Sequence, residues 1–317
     1  MRFICAQPAT LFYAWQVEVM LQNFMSVGIN PNNIDIVCHI EDTVPFEWSR
    51  LANHYAARFF FYFDQRETKH YVSSIRPNIL KQHFYNNPEL KDDAIFYHDC
   101  DIVFTKPLEW YKFTFDQNWY GSDTRFYISH DYIISKGEDV LDKMCEIVDI
   151  DKQIIKDNEL NCIGAQYIMK GIDSQFWADV ERDCERLFKE ITDLNNEKIA
   201  LDRHTMPPGE ARQPYHPLQI WCADMWAVLW NGWKRGHKTI CHDDLKFSWA
   251  TSNQKTWDEC YIYHNAGAVN SESGIFYKGD YNTKVPYGVE LKLNEDSASY
   301  NYYKLIQETA KTSVLCV

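Results

Sequence analysis

Glycine and proline are scarce in this chain of 317 residues, which contains 12 glycines and 11 prolines. This content excludes collagen-like and low-complexity chains and predicts mostly regular elements with few glycine loops. The ten cysteines include no C-x-x-C pair, which argues against a structural zinc site. Scattered thiols in a chain of this length are typical of reduced core residues and predict a reducing compartment.

Several signals of location and function are also missing. The sequence has no Asn-x-Ser/Thr glycosylation acceptor and no apolar run long enough for a signal peptide or a membrane span. We therefore expect a cytoplasmic protein without membrane contact, which for a viral protein means the cytoplasm of its host. A Walker glycine loop and a G-x-G-x-x-G motif are absent too, so ATPases and dinucleotide oxidoreductases have no support.

Basic residues are outnumbered, with 32 Lys and Arg against 45 Asp and Glu, and the net charge is −13. Such a field repels polyanions and argues against broad nucleic-acid binding, although the run Lys234-Arg235-Gly236-His237-Lys238 leaves a local basic groove open. The charge also suits a protein that recruits a divalent cation to approach an anionic substrate. Aromatic residues make up 15%, enough to fill a core or to line sites for flat or sugar-like ligands.

Strands and helices alternate along the first hundred residues. Predicted strands are Arg2–Ala6, Ile34–Ile40, Arg58–Phe63 and Ala94–His98, and predicted helices are Tyr13–Val27, Phe46–Ala57 and a third that opens at Pro77. The all-apolar strand Arg58–Phe63 has the pattern of one buried on both faces. This alternation predicts an α/β fold with a mostly parallel sheet, whose ligands bind beyond the carboxyl ends of the strands.

The second half is less regular. It predicts helices at Asp142–Val148, Gln175–Glu190 and Leu218–Trp233, and an amphipathic helix near the end. Asn195–Pro217 contains Pro207-Pro208-Gly209 and reads as a long loop. Because no linker divides the chain, we expect one domain with two halves.

Two carboxylates follow the fourth predicted strand, in Asp99-Cys100-Asp101. On an extended segment they point the same way and can hold one divalent cation with positions open for a substrate's phosphates. The alternative is an exposed turn at the strand end. A second pair, Asp149-Ile150-Asp151, lies in a polar run, and there the surface turn is the better interpretation.

A third ligand has to come from elsewhere, and His264 is the candidate. It follows the strand-like run Tyr261-Ile262-Tyr263 and precedes a turn of small residues that includes Gly267, where backbone can approach an anion closely. Lys278 lies beyond and could neutralise a diphosphate as a point charge. Taken alone, His264 is better interpreted as a hydrogen-bonded structural histidine.

Three strand–helix units followed by an aspartate pair near residue 100 resemble the metal-dependent glycosyltransferases of the GT-A fold. A closer resemblance is to the hydroxyproline arabinosyltransferases and peptide galactosyltransferases of plants. It is carried by Tyr13-Ala14-Trp15-Gln16, Ile75-Arg76-Pro77, Gly164-Ala165-Gln166, Ala223-Asp224-Met225 and Trp249-Ala250-Thr251. The chain departs from those enzymes in the longer spacing from Gly267 to Lys278 and in lacking their membrane anchor.

The resemblance implies a GT-A type, Rossmann-like sheet in a single domain over residues 1–317. Residues 1–110 would form the nucleotide-sugar half, and residues 111–317 the acceptor side and the tail. It implies Mn²⁺ or Mg²⁺ on Asp99, Asp101 and His264, with a nucleotide sugar, in first place a UDP-sugar, as donor. Donor contacts would come from Gln7, Ala9, Tyr13, Arg76, Asp99, Gly267 and Lys278. Tyr13 reads equally as a packing residue at a helix start, and a lone Arg such as Arg76 usually ends in a surface ion pair.

Asp224 is the acid that we expect at the reaction centre. It lies in an otherwise apolar helix, so it is either at the mouth of a pocket or paired, and a structural aspartate bonded to a backbone amide is the alternative. Gln166 is a second candidate, and Asp123 a candidate contact to the donor sugar or the acceptor. Most of the aromatic stripe around Asp224 is expected to be core.

These features together predict a glycosyltransferase that moves a hexosyl or pentosyl group to an acceptor hydroxyl. Retention of configuration is implied by the resemblance alone, and inversion would require a base such as Asp224. The acceptor stays open between a glycan or lipid precursor, a protein, and the hydroxylated bases of phage-type DNA. Rival classes are a metal-dependent phosphoesterase and a degenerate sugar-binding protein, and no feature indicates an obligate protein partner.

Overall fold

A computed structural model describes residues 1–205, 215–271 and 274–315. The strands are β1 Arg2–Pro8, β2 Ile34–Ile40, β3 Arg58–Phe63, β4 Ile95–Tyr97, β5 Ile102–Phe104, β6 Trp119–Asp123, β7 Ile163–Met169, β8 Thr239–Cys241, β9 Phe247–Trp249 and β10 Ile262–His264. The helices are α1 Leu11–Ser26, α2 Phe46–His54, α3 Ile75–Asn86, α4 Arg125–Ile128, α5 His130–Ile134, α6 Glu138–Val148, α7 Lys152–Asp157, α8 Ser174–Thr205, α9 Ala223–Lys234, α10 Gln254–Glu259 and α11 Ala298–Ala310.

Seven strands form the central sheet, in the order β3-β2-β1-β4-β7-β6-β8. All neighbours pair in parallel except β7, which runs antiparallel to both β4 and β6. Alternate residues of β1 enter two different core clusters, Ile4 with α3, α8 and α9, and Phe3 with α1 and α2. Helices therefore cover both faces, and the predicted α/β class with a mostly parallel central sheet is confirmed.

The edge of this sheet corrects one prediction. Arg58–Phe63 is β3 as expected, but its residues are half-buried or exposed instead of buried on both faces. The cause is position, because β3 is the outer strand of the sheet and pairs only with β2 among the strands that the structure describes. Phe63, at its end, is 54% exposed.

The long loop expected from Asn195 is also wrong in its first part. Helix α8 continues through Asn195 to Thr205, and the buried Asn195 amide donates to the Leu218 carbonyl over 3.1 Å. No proline or glycine interrupts residues 191–205, so the helix pattern continues past the predicted end. Residues 206–214, with the Pro207-Pro208-Gly209 segment, lie outside the described residues.

A second, small sheet has the order β5-β10-β9. The chain leaves β4, turns at Asp99–Asp101 and enters β5, so the aspartates stand on a turn between two sheets and not on one extended strand as predicted. Strand β10 pairs antiparallel with β5, with His264 opposite Ile102. Among the residues that the structure describes, no helix has the length and apolar character needed to cross a membrane.

Candidate active site

Asp99, Asp101 and His264 lie together, each offering one ligand atom within 4.8 Å of the others. His264 Nε2 is 3.3 Å from Asp101 Oδ1 and 3.5 Å from Asp99 Oδ2. The backbone holds this geometry, because Asp101 directly precedes β5, His264 ends the adjacent β10, and the N–H of Asn265 donates to the Asp101 carbonyl over 2.9 Å. The structure thus brings together the three residues predicted as metal ligands.

Each aspartate also has a cationic partner. Arg76 Nη1 is 2.5 Å from Asp99 Oδ1, and Lys278 donates to Asp101 Oδ2. Each carboxylate therefore gives one oxygen to a cation and turns the other towards His264. Burial raises the pKa of Asp101, but the charges of Lys278 and His264 outweigh it, so the pKa lies below its usual value. Asp101 is only 4% exposed and its charge is compensated from two sides.

Two carboxylates and an imidazole are a suitable donor set for Mn²⁺ or Mg²⁺ with open positions. Metal binding at His264 Nε2 requires the proton on Nδ1, which then needs an acceptor. Gln166 lies there, with its amide nitrogen 3.2 Å from Nδ1, and its Oε1 is buried without a partner among the described residues. The oxygen and nitrogen of a glutamine amide are distinguished only by their hydrogen bonds. If the amide is rotated by 180°, its Oε1 becomes the acceptor for Nδ1–H. The residues present therefore fit a metal ion.

One cavity lies on the β1 side of these ligands, with a volume of about 200 Å³, and we call it the β1 cavity. Its lining includes four of the residues predicted to contact the donor, Gln7, Tyr13, Arg76 and Lys278. Gln7 is 2% exposed and its Oε1 has no partner within the described chain. Ala9 is not part of this lining, since it is buried in the core cluster under α1 and its N–H donates to the His39 carbonyl.

A second cavity, of about 400 Å³, lies on the other side, and we call it the aromatic cavity. It shares Val72, Ser73, Arg76, Asp99 and His264 with the β1 cavity. Its walls carry seven aromatic side chains, Tyr71, Tyr97, Tyr127, Tyr167, Phe188, Trp221 and Trp249. Sequence reasoning missed most of them, because they come from separate segments and only the high aromatic content signalled such a site.

Asp224 stands in the wall of the aromatic cavity. Its Oδ2 accepts from Arg76 over 2.5 Å and its Oδ1 accepts from the Tyr71 hydroxyl over 2.8 Å. Asp224 is thus in a pocket wall and paired at once, and its contact with a sugar stays a prediction. Burial would lower the pKa of Arg76, but Asp224 and Asp99 together raise it well above the ordinary value. Arg76 thus forms an ion pair inside the cleft and not on the outer surface.

Segment 70–74, whose Val72 and Ser73 line both cavities, is held by hydrogen bonds from α8. The buried Glu185 accepts from the N–H groups of His70 over 2.7 Å and Tyr71 over 3.3 Å, and from the Ser74 hydroxyl. Sequence reasoning gave no signal for Glu185, which lies among several acids of a long helix. Helix α3 begins at Ile75, so Arg76 lies in its first turn and Pro77 one residue later.

Other candidates lie apart from the ligands. Gly267 has φ +87°, a value that favours glycine, but it lines neither cavity, and a side chain there would meet only Thr251 and Trp249. Asp123 forms an ion pair with Arg125 at a different cavity. In the basic run, Lys234 pairs with Asp149 and Arg235 with Asp173 and Asp179.

No known family model matches the sequence, and no curated protein matches it. Among solved structures, the bifunctional glycosyltransferase WbbM in its apo form is 10% identical with a TM-score of 0.45, over 84% of this chain and 46% of its own. The galactosyltransferase LgtC, with donor and acceptor sugar analogues, is 10% identical with a TM-score of 0.41, over 99% and 96%. A glycosyltransferase involved in the glycosylation of the major capsid of PBCV-1 is 12% identical with a TM-score of 0.37, over 84% of this chain and 94% of its own. This chain spans about half the length of WbbM. At these identities each likeness concerns the fold and not the chemistry.

Proposed function

We propose that this protein is a metal-dependent glycosyltransferase of the GT-A type that transfers a sugar from a UDP-sugar to an acceptor hydroxyl. One observation carries the proposal: Asp99, Asp101 and His264 converge where a polar and an aromatic cavity meet, beyond the carboxyl ends of β1 and β4. Ligand sites of open α/β sheets lie at this edge. A donor that spans the two cavities places its diphosphate at the three ligands.

The β1 cavity suits the nucleoside. Gln7 offers a buried amide oxygen without a partner in the described chain, and this oxygen can accept the ring N–H of uracil. Tyr13 and Phe12 supply aromatic surface beside it. Cytosine and adenine carry no ring N–H at the corresponding edge, so the free acceptor favours uracil over them.

The diphosphate would depart beside a cluster of positive groups. Asp99, Asp101 and His264 would hold a divalent ion, which would supply positive charge beside the leaving oxygens. Lys278 faces the same position, and its pKa is raised because the attraction of Asp101 outweighs the opposing effect of burial. Arg76 adds a guanidinium at the boundary of both cavities. These preorganised charges stabilise the transition state, in which the sugar is oxocarbenium-like and the leaving group anionic.

The aromatic cavity would hold the transferred sugar and exclude water. Both oxygens of Asp224 already accept hydrogen bonds, from Arg76 and from Tyr71, which suits a group that positions the sugar better than a free general base. This arrangement favours the retaining outcome. Gln166 acts through His264 and has a positioning role in this proposal.

Two other functions receive less support. A DNA acceptor would need a basic groove, yet Lys234 and Arg235 are ion-paired with aspartates. A two-metal phosphoesterase would need a second ligand cluster beside the first. Within the described residues, the other group of three potential ligands is His130, Asp131 and Glu159, on and beside α5.

Thermal unfolding with nucleotides tests the proposal. We expect UDP with Mn²⁺ to stabilise the protein, by about 2.7 kcal/mol at a hundredfold excess over Kd, and we expect CDP and ADP to do so less. EDTA or Asp101→Ala should remove the effect, and Asp151→Ala is the matched control. Stabilisation by UDP that persists with EDTA and in Asp101→Ala would contradict the assignment.

A further inference from the structure

A third cavity opens at the same edge of the central sheet, beyond the ends of β6 and β8. Its volume is about 720 Å³, and its lining includes Asp123, Arg125, Phe126, Glu159, His242 and Lys246. This volume lies in the range of about 300–1,000 Å³ that is typical of ligand sites. The proposed function leaves this cavity without a role.

The chain connects the third cavity to the aromatic cavity. Phe126 lines the third cavity and its neighbour Tyr127 lines the aromatic cavity, with ring centroids 4.5 Å apart. Trp221 stacks on Tyr127 with 6.1 Å between ring centroids. Phe126 is 70% exposed and Trp221 57% exposed, although aromatic rings of this size are normally covered. The three rings form an aromatic path from one cavity to the other.

The polar groups of the third cavity are of both signs. Asp123 and Arg125 form an ion pair 2.5 Å long, and the remaining charged lining residues are Glu159, Asp243 and Lys246. The near balance of charge gives no attraction for a strongly anionic or cationic ligand. It offers carboxylate and guanidinium groups that hydrogen-bond hydroxyls, next to an apolar ring face, and a neutral sugar presents both kinds of surface.

We propose that the third cavity binds the part of a neutral oligosaccharide acceptor that lies several sugar units from the hydroxyl that is glycosylated. The inference rests on the proposed function, which places the transferred sugar in the aromatic cavity, so the acceptor hydroxyl has to reach that cavity. The acceptor then runs over Tyr127, Trp221 and Phe126 into the third cavity. A monosaccharide fills only the aromatic cavity, so the enzyme prefers chains of three or more units.

Binding to an array of immobilised neutral oligosaccharides, from one to six units long, tests this inference without requiring turnover. We expect the protein to bind chains of three or more units, and Phe126→Ala to weaken that binding at least tenfold. Phe115→Ala is the matched control, since Phe115 is 76% exposed and precedes β6, whereas Phe126 follows it. Neither ring is buried, so both variants should keep the melting temperature of the parent.

The stabilisation by UDP and Mn²⁺, measured on the same samples, separates the two proposals. If the nucleotide stabilises the protein but no neutral chain binds, or if Phe126→Ala binds as well as Phe115→Ala, the subsite is overturned and the transferase stands. If chains bind through Phe126 but no nucleotide does, the sugar site stands and the transferase fails. Binding confined to sulfated glycans or to DNA would overturn the neutral-ligand assignment.

Discussion

The chain contains the same short motif twice, in Asp99-Cys100-Asp101 and in Asp149-Ile150-Asp151, and the structure uses the two differently. The first pair joins β4 to β5, and its partners come from α3, β10 and the segment around Lys278. The second joins α6 to α7, where Asp149 adopts φ 57° at the end of one helix and Asp151 caps the next. The Asp-x-Asp motif alone therefore does not indicate a metal site, and the residues around it in the fold decide its role.

Burial is the physical difference between the pairs. Asp101 is 4% exposed, so its charge requires a nearby cation, and Lys278 supplies one. The side chain of Asp149 is 91% exposed, and water satisfies it whether or not Lys234 pairs with it. An acidic pair becomes a candidate site when the fold forces it out of water.

Loss of the first pair should have the largest effect. We expect Asp101→Asn to lower the rate of sugar transfer about a thousandfold, or about 4 kcal/mol, because a metal ligand and the partner of Lys278 are lost together. Asp151→Asn should change the rate less than twofold. The rate of UDP release from the donor at saturating acceptor measures both effects. Equal losses in the two variants would contradict the different roles assigned to the two pairs.

His98, which lies between β4 and the first pair, should make stability depend on pH. Burial lowers the pKa of His98 from 6.5 to about 4, and its Nε2 has no partner among the described residues. Between these two pH values His98 binds a proton in the unfolded chain but not in the folded one. The free energy of unfolding therefore falls as the pH drops from about 6.5 to 4, by up to about 3 kcal/mol. The second pair has a helix before it and no such histidine.

Urea unfolding between pH 7 and 4.5 checks this dependence. His98→Gln should be less stable at pH 7 but should lose stability less steeply on acidification than the parent. The difference between the two slopes is the diagnostic quantity, since the carboxyl groups common to both proteins cancel in it. Parallel slopes would show that His98 takes up its proton equally in both states.

Gln166 contacts His264, the histidine beside the first pair, and the second pair has no corresponding partner among the described residues. Gln166→Leu removes the acceptor for His264 Nδ1–H, and we expect the affinity for Mn²⁺ to fall about 10- to 100-fold. Gln166→Glu keeps an acceptor and should bind Mn²⁺ at least as well as the parent. Titration of Mn²⁺ without substrate, followed by electron paramagnetic resonance, distinguishes this positioning role from simple packing, which would weaken both variants.

The smallest effect belongs to the second pair. Asp151 accepts from the N–H of Gln153 over 2.8 Å as the N-cap of α7, so Asp151→Ala should cost about 1 kcal/mol of unfolding free energy. Urea unfolding measures this loss, and the rate of sugar transfer should stay at the parental value. A loss of activity larger than the loss of stability would assign Asp151 a role beyond capping.

Much of the fold was accessible from local pattern. The strands β1 to β4 and the helices between them follow from periodicity and helix-start signals, because each signal lies within about a dozen residues. The exposure of β3 and the transfer of β5 to a second sheet were not accessible, since both depend on which strand pairs with which. Helix α8 was underestimated because the prolines and the glycine that predicted a loop all lie after residue 206, and the interpretation extended that loop back to Asn195.

The site shows the same division. Asp99, Asp101, His264, Arg76 and Lys278 could be nominated from their places at strand and helix ends, and the structure brings them together. Their roles, the single-domain organisation and the cytoplasmic location stay predictions. Tyr71, Tyr97 and Glu185 could not be nominated, because each resembles many residues of its type and only tertiary packing selects it.

The pairing of Asp101 with Lys278 joins residues 177 positions apart. A ribosome must therefore synthesise all seven strands of the central sheet, and the chain as far as Lys278, before the cluster of charges can close. During synthesis the turn Asp99–Asp101 forms before Lys278 and His264 have been made. A substrate that needs the whole cluster therefore cannot bind to the early nascent chain and guide its folding. Cleavage just before Lys278 would separate this lysine from Asp101 in sequence, and all seven strands of the central sheet lie before that cut.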